Sequence, residues 1–284
     1  MSASATSAPD LRISVGAASE RGRRRAVNED SCLAAHPVYL VADGMGGHDA
    51  GDRASAAAVA AFAPLVGRDD VAPDEVVRAV RGAHLAVAAI AERTRRGAGT
   101  TLSGVVAVDH GDARRWLVLN IGDSRVYRLL SNRLEQLTVD HSIVQSLADE
   151  GRLDRAELAR HGGRHVITRA VGDERSDADY WLVPIVTGER LLVCSDGLAG
   201  ALPHEALHAG LALGGATAPT ARTLVGQAAE RGSRDDVTAV VVDVLAGGVS
   251  PRADDVTGGA SPGTSFSHAM IDLDTVPGTR RRRG

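Results

Sequence analysis

Lysine is missing altogether: each of the 32 basic residues of this 284-residue chain is an arginine. Beside the heavy use of alanine and glycine, that absence reads as a bias of genome composition and not as a functional signal. Cysteine is nearly missing too. Cys32 and Cys194 cannot build a disulfide framework, so a reduced, cytoplasmic protein is expected. No apolar run approaches the ~20 residues that span a bilayer. The opening MSASATSAPD has neither a basic start nor an apolar stretch, so no signal peptide is visible. Positive charge is not in excess either. With 36 acidic residues the net charge is −4, which gives no reason to expect a nucleic-acid partner.

What is present is ordinary in bulk and particular in arrangement. Apolar residues at 44% and charged residues at 24% are values of a soluble globular chain. This length buries one large core or two small ones. Residues 1–10 are small and polar and are expected to be disordered. From Ala246 the sequence turns rich in Gly, Ser, Thr and Pro, so residues 246–284 are expected to form a disordered tail. One domain, 11–245, lies between. Strands are expected over 11–16, 38–43, 101–108, 115–122, 125–130, 133–137, 180–186, 190–196 and 236–244. The short polar or Gly links at 122–125 and 130–133 suit antiparallel hairpins. Helices are expected over 51–66 and 73–94. The second opens on Pro73 with two acids behind it and carries Val76, Val77, Val80, Leu85, Val87 and Ile90 at mostly helical spacings. Shorter helices are expected at 142–150, 154–160, 203–210 and 219–231. An antiparallel β core with helices packed in pairs outside it is an α+β sandwich.

The informative feature is where the aspartates fall. VYLVAD ends at Asp43, VLNIGD at Asp123 and LLVCSD at Asp196, while Asp235 and Asp236 immediately precede VTAVVV. A carboxylate at a strand end is expensive to desolvate unless it meets a cation or donors. Several converging on one end of a sandwich repel one another, and a divalent ion removes the repulsion. Hard oxygen donors favour Mg²⁺ or Mn²⁺, and an Asp-Gly step such as Asp43-Gly44 lets a backbone carbonyl join the ligands. Taken singly, each Asp-Gly is ordinary turn chemistry. The loop DGMGGH lacks the Lys-Ser/Thr ending of a P-loop. Only the set of acids points to metal.

RAVNEDS (25–31), VADGMGGHDAGDRAS (41–55), GTTLSG (99–104), NIGDSRVYRL (120–129), LTVDHSIVQSLADEGRL (137–153), ITRAVGD (167–173), VCSDGL (193–198) and GSRDDVTAVVV (232–242) resemble, in order, the motifs of bacterial type 2C protein phosphatases, the PPM family. The resemblance implies a four-layer α-β-β-α sandwich with two central antiparallel sheets and a metal centre at one end. It implies that Asp43 bridges two cations, with the Gly44 carbonyl on one and Asp196 and Asp235 on the other. Asp30 then holds metal-bound waters, with Glu29 beside it as a lesser candidate, Arg25 grips the substrate phosphate, and Asp123 belongs to a weaker third metal site. The implied cofactors are two divalent cations, Mn²⁺ or Mg²⁺. The implied reaction is hydrolysis of phosphoserine and phosphothreonine in proteins by a hydroxide shared between the cations, in a monomer that opposes a bacterial Ser/Thr kinase.

Three positions depart from the family. Asp236 stands where Asn is usual and adds negative charge beside the metals. Gly200 stands where many members carry an acid, which weakens the case for the third metal. His165 stands where Asn is common, beside a flap at about 142–172. Met45 fills the place of a His that animal members carry after Asp-Gly, which leaves His48 as a candidate general acid. The alternative reading is a catalytically weak phosphatase-like module that binds phosphoproteins or regulatory partners. The run Arg280 to Arg283 is expected to be a solvated tail.

Overall fold

A computed structural model describes residues 10–46, 50–95, 97–111, 113–153, 162–163, 166–173, 175–251 and the backbone of 269–270. In chain order the strands and helices are β1 (Arg12–Glu20), β2 (Asp30–Ala35), β3 (Val38–Gly46), α1 (Gly51–Ala60), α2 (Pro73–Ala91), β4 (Ala98–Thr100), β5 (Leu102–His110), β6 (Ala113–Ile121), β7 (Arg125–Leu130), β8 (Arg133–Gln136), α3 (Ile143–Asp149), β9 (Asp179–Pro184), β10 (Arg190–Cys194), α4 (Asp196–Ala201), α5 (His204–Ala212), α6 (Thr217–Glu230), β11 (Val237–Ala246) and β12 (Ala269–Met270). One sheet runs β1-β11-β10-β7-β8. The other runs β12-β9-β6-β5-β3-β2, with β4 added against β3. The strand pairs are antiparallel.

Period-two alternation sorts the side chains into layers. Tyr39 and Val41 of β3, Trp116 and Val118 of β6, Leu191 and Val193 of β10, and Val240 and Val242 of β11 fill the space between the sheets. Val38, Leu40 and Ala42, on the other face of β3, pack beneath Ala54 and Ala58 of α1 and Val76, Val80, Ala83 and Val87 of α2. Leu192, Cys194, Ala239 and Val241 pack against Leu198 of α4, Leu207 of α5 and Leu224 of α6. The four layers are helices, sheet, sheet and helices, the α+β sandwich expected.

Several local readings shift. The expected helix 51–66 stops at Ala60 and resumes as a 3₁₀ turn over Ala63–Leu65, because Pro64 has no N–H to continue the ladder. On α2 the buried stripe runs through positions 76, 80, 83 and 87, and Leu85 falls outside it, 74% exposed. The link 130–133 is a hairpin, with Ser131 and Asn132 both at positive φ. The link 122–124 is not. It carries the chain out of one sheet at β6 and into the other at β7. Gly122, at φ +101 with Thr101 packed against its α-carbon, makes that change of sheet.

Within the tail, β11 reaches Ala246, and the backbone of residues 269–270 pairs with Leu182 and Trp181 of β9. Residues 1–9, 252–268 and 271–284, the expected helix 154–160, and the candidates His48 and His165 lie outside the described residues. Among the described residues no helix is long and apolar enough to cross a membrane.

Candidate metal centre

The alternation that fills the core also delivers the acids. On β3 the inward positions 39 and 41 are followed by 43, and on β2 the inward positions 34 and 32 are preceded by 30. Asp30 and Asp43 are therefore direct partners across an antiparallel pair, two carboxylates on the same face and unfavourable neighbours on their own. β3 does not end at Asp43 as the sequence suggested. It continues to Gly46, because β4 pairs with Gly44 through Gly46. The break between β4 and β5 falls at Thr101, whose backbone and side chain bracket Asp43: Thr101 N donates to Asp43 O at 2.9 Å, and Asp43 N donates to Thr101 Oγ1 at 2.9 Å. Thr100 Oγ1 adds a third bond to Asp43 O at 2.9 Å. The backbone of Asp43 is thus fixed independently of its carboxylate.

The other sheet supplies the rest. Asp196 does not close strand β10. It is the first residue of α4, where a carboxylate suits the helix N-terminus. Asp235 and Asp236 precede β11, and Asp123 sits on the link between the sheets, 8% exposed. Burial holds the Asp43 carboxyl well above the ordinary carboxylate range, and Asp30, Asp196, Asp235 and Asp123 each push it further. Asp30 is raised to about 7, first by burial and then by Asp236 and Asp196, against the pull of the nearby Thr238 and Ser195 hydroxyls. Asp123 is raised to about 7 by burial, Asp196 and Asp140, with Arg125 opposing. Four aspartates from elsewhere in the chain thus bear on Asp43 at one end of the sandwich.

Two features fit this cluster to divalent cations. Both carboxylate oxygens of Asp30 are buried without a well-formed hydrogen bond, and a buried anionic oxygen calls for a counter-charge. The donors are hard oxygens, which suit Mn²⁺ or Mg²⁺. Among the described residues no three His, Cys, Asp or Glu side chains close into a tight cage. At Gly44 a Cβ would lie 2.1 Å from Gly51 O and 2.6 Å from Glu29 O, so only glycine lets β3 meet the start of α1 here. Gly44 N donates to Glu29 O at 3.1 Å.

Arg25 lies on the loop between β1 and β2. Its Nη1 reaches Glu29 Oε2 at 2.6 Å, and its Nε and Nη2 reach Asp235 Oδ1 at 2.8 and 2.6 Å, with a third of the side chain left exposed. Asp236 is buried, at 1% exposure, and is not simply added charge. Its Oδ1 accepts from Gly22 N at 2.8 Å and its Oδ2 from Glu29 N at 2.7 Å, so it clasps both ends of the loop that carries Arg25. Nothing local in the sequence signals this role, because the donors are backbone groups more than 200 positions away. His141 is a second such residue. Its Nδ1 accepts from Gly122 N at 3.2 Å, which leaves Nε2 to donate to Asp179 Oδ2 at 3.0 Å. Arg169 holds the other oxygen of Asp179 at 2.7 Å. The link bearing Asp123 is thereby anchored to the base of the flap.

The model of the protein phosphatase 2C family matches residues 19–232. The chain is 36% identical over 265 residues to the serine/threonine protein phosphatase PstP of Mycobacterium tuberculosis, covering 87% of this chain and 50% of that protein; it spans about half the length of that relative. It is 31% identical to the serine/threonine phosphatase stp of Listeria monocytogenes, covering 79% of this chain and 93% of that one. The catalytic domain of PstP, solved in complex with two manganese ions, superposes with a TM-score of 0.75 at 35% identity, covering 84% of this chain and all of that one. The chain belongs to the protein phosphatase 2C family.

Proposed function

We propose that this protein removes phosphate from phosphoserine and phosphothreonine in proteins, with Mn²⁺ or Mg²⁺ as cofactor. The observation that carries the proposal is the convergence of Asp30, Asp123, Asp196 and Asp235 on the buried Asp43 at one end of the sandwich, with both Asp30 oxygens buried without a well-formed hydrogen bond. Asp43, Asp196 and Asp235, with the Gly44 carbonyl, would hold two cations, Asp30 would bind their waters, and Asp123 would serve a weaker third site. When bound, such a pair supplies a water acidic enough to attack phosphorus at neutral pH and neutralises charge on the phosphate oxygens.

The chain's own residues then bind and orient. Arg25 offers a planar fork suited to two phosphate oxygens, and Glu29 and Asp235 hold it in place. No protein nucleophile is required. Cys194 is buried, with its thiol pushed up to about 12 by that burial, which keeps it protonated and unreactive. The two cysteines are unpaired, in keeping with a reducing cytoplasm. A serine/threonine kinase is the natural opposing partner, and the chain is expected to act as a monomer.

The test is Mn²⁺-dependent phosphate release from a phosphothreonine peptide and from p-nitrophenyl phosphate. Asp43→Ala and Asp196→Ala are expected to lower it by at least about a hundredfold, of the order seen when a central electrostatic group is removed. Binding of the phosphopeptide without release by the unaltered protein would instead favour a phosphoprotein-binding module.

A further inference from the structure

The loop that presents Arg25 reads Arg21-Gly22-Arg23-Arg24-Arg25, four arginines in five residues. Arg25 is committed to Glu29 and Asp235. Arg21, Arg23 and Arg24 are exposed. The loop entering β11 lies against this one, with Arg24 N donating to Arg234 O at 3.4 Å, and it adds Arg231 and Arg234, both exposed. A cleft runs between the two loops, lined by Glu20, Arg21, Gly22, Arg23, Ser233 and Asp235 among others. It places Arg21 and Arg23 on the same cleft as Asp235, the acid that holds Arg25.

The local charge balance leans to the positive: Glu20, exposed at the end of β1, is the one acid on the cleft without a basic partner among the described residues, against Arg21, Arg23, Arg24, Arg231 and Arg234. Of the acids in these loops, Asp235 and Glu29 are paired with Arg25, and Asp236 is taken up by the N–H groups of Gly22 and Glu29. Among the described residues none of Arg21, Arg23, Arg24, Arg231 and Arg234 has a carboxylate partner within 4.0 Å. What sets this rim apart is the crowding of four arginines into residues 21–25 and two more into 231–234. Arg24 is next to Arg25 in the chain, one Cα step of about 3.8 Å away. Residues flanking a phosphorylated side chain held by Arg25 would pass over this rim.

We propose that Arg23, Arg24 and Arg234 form a subsite for acidic residues, or a second phosphate, flanking the phosphorylated Ser or Thr, so that the protein selects phosphosites in acidic sequence. Guanidinium forks match carboxylate and phosphate oxygens, and exposed opposite charges steer encounter even where each contact is small. The inference rests on the phosphatase reading above.

The experiment compares two phosphothreonine peptides, one with Asp and Glu around the phosphosite and one with Asn and Gln in the same places. p-Nitrophenyl phosphate, which has no flanks, serves as the reference. Each exposed charge contact is worth a factor of a few, so three together are expected to favour the acidic peptide about tenfold in kcat/KM. The preference should lie in KM. It should be clear at about 50 mM salt and nearly gone at about 500 mM, where the screening length falls to a few ångströms. In the variant Arg23→Gln/Arg24→Gln/Arg234→Gln the ratio of acidic to neutral peptide should fall to about one, each rate normalised to p-nitrophenyl phosphate to remove any effect on folding or metal loading.

Equal rates for the two peptides in the unaltered protein, or a preference that survives the triple substitution, would overturn the proposal. So would loss of binding to phosphatidylserine vesicles in the variant without any change in peptide preference, which would give the patch to a membrane surface. If the unaltered protein hydrolyses none of the three substrates, the phosphatase reading fails by itself. Fluorescence anisotropy with the same two peptides then still decides this one: tighter binding of the acidic peptide, lost in the triple variant, upholds it, and equal binding ends it.

Discussion

A carboxylate in this protein takes its role from what surrounds it, not from its type. Asp43 and Asp236 are both acids at the same end of the sandwich, yet their neighbours are opposite. Asp43 faces other carboxylates and is held well above its ordinary pKa by burial and by them. Asp236 faces two backbone N–H groups. Hydrogen bonds to a charged acceptor contribute about 1.5–3 kcal/mol each, so Asp236→Ala is expected to lower stability by about 3 kcal/mol. Because the freed loop carries Arg25, KM for a phosphopeptide should rise more than kcat falls. Asp236→Asn keeps one acceptor but sets an amide NH₂ against the second N–H, so part of both effects should remain. Denaturant unfolding together with steady-state kinetics on the two variants checks this, and an Ala variant with unchanged KM would count against the clasp.

Between elements, the centre depends on how closely β3 approaches the start of α1. Gly44→Ala would place a methyl carbon 2.1 Å from Gly51 O, so strand and helix must part. Overpacking of this kind costs about 1–3 kcal/mol. The displacement falls beside Asp43, so the rise in melting temperature expected from Mn²⁺ in the unaltered protein should be smaller in the variant; an equal rise in both would show that the approach does not matter to the centre. The elements were largely legible in the sequence, because the alternation in VYLVAD and VTAVVV and the 3.6-residue stripe of α2 are local. Strand β2 was not, because DSCLAA carries no strong alternation and is extended only by pairing with β3. Nor was the change of sheet at Gly122, since a three-residue link looks the same whether the next strand pairs with the last one or leaves it.

Across the whole molecule the two sheets are tied at more than the metal centre. Trp116 of β6 donates Nε1 to Glu189 Oε1 at 2.8 Å, and Glu189, just ahead of β10, also accepts from Val186 N at 2.8 Å. Glu189 is 1% exposed and burial raises its carboxyl from an ordinary 4.5 to about 7, against the pull of those two donors and Arg128. The protonated form is the one the fold favours. Its contribution to stability is therefore complete below about pH 4.5 and is lost as pH rises through about 7, a change of roughly 3 kcal/mol. Glu189→Gln does not titrate, so the stability of the unaltered protein relative to this variant should fall by most of that amount between about pH 5 and about pH 8. Equal differences at the two pH values would refute the assignment. The sequence by itself determined the alternating strands, the helical stripes and the recurrence of aspartate beside apolar runs, since each is written within a few neighbouring residues. Only the tertiary structure decided that Asp30 stands opposite Asp43, that Asp236 clasps the loop carrying Arg25, and that arginines from two ends of the chain share one rim. Those relations join residues up to two hundred positions apart, and contact over such distances is fixed by the packing of sheets, not by local preference.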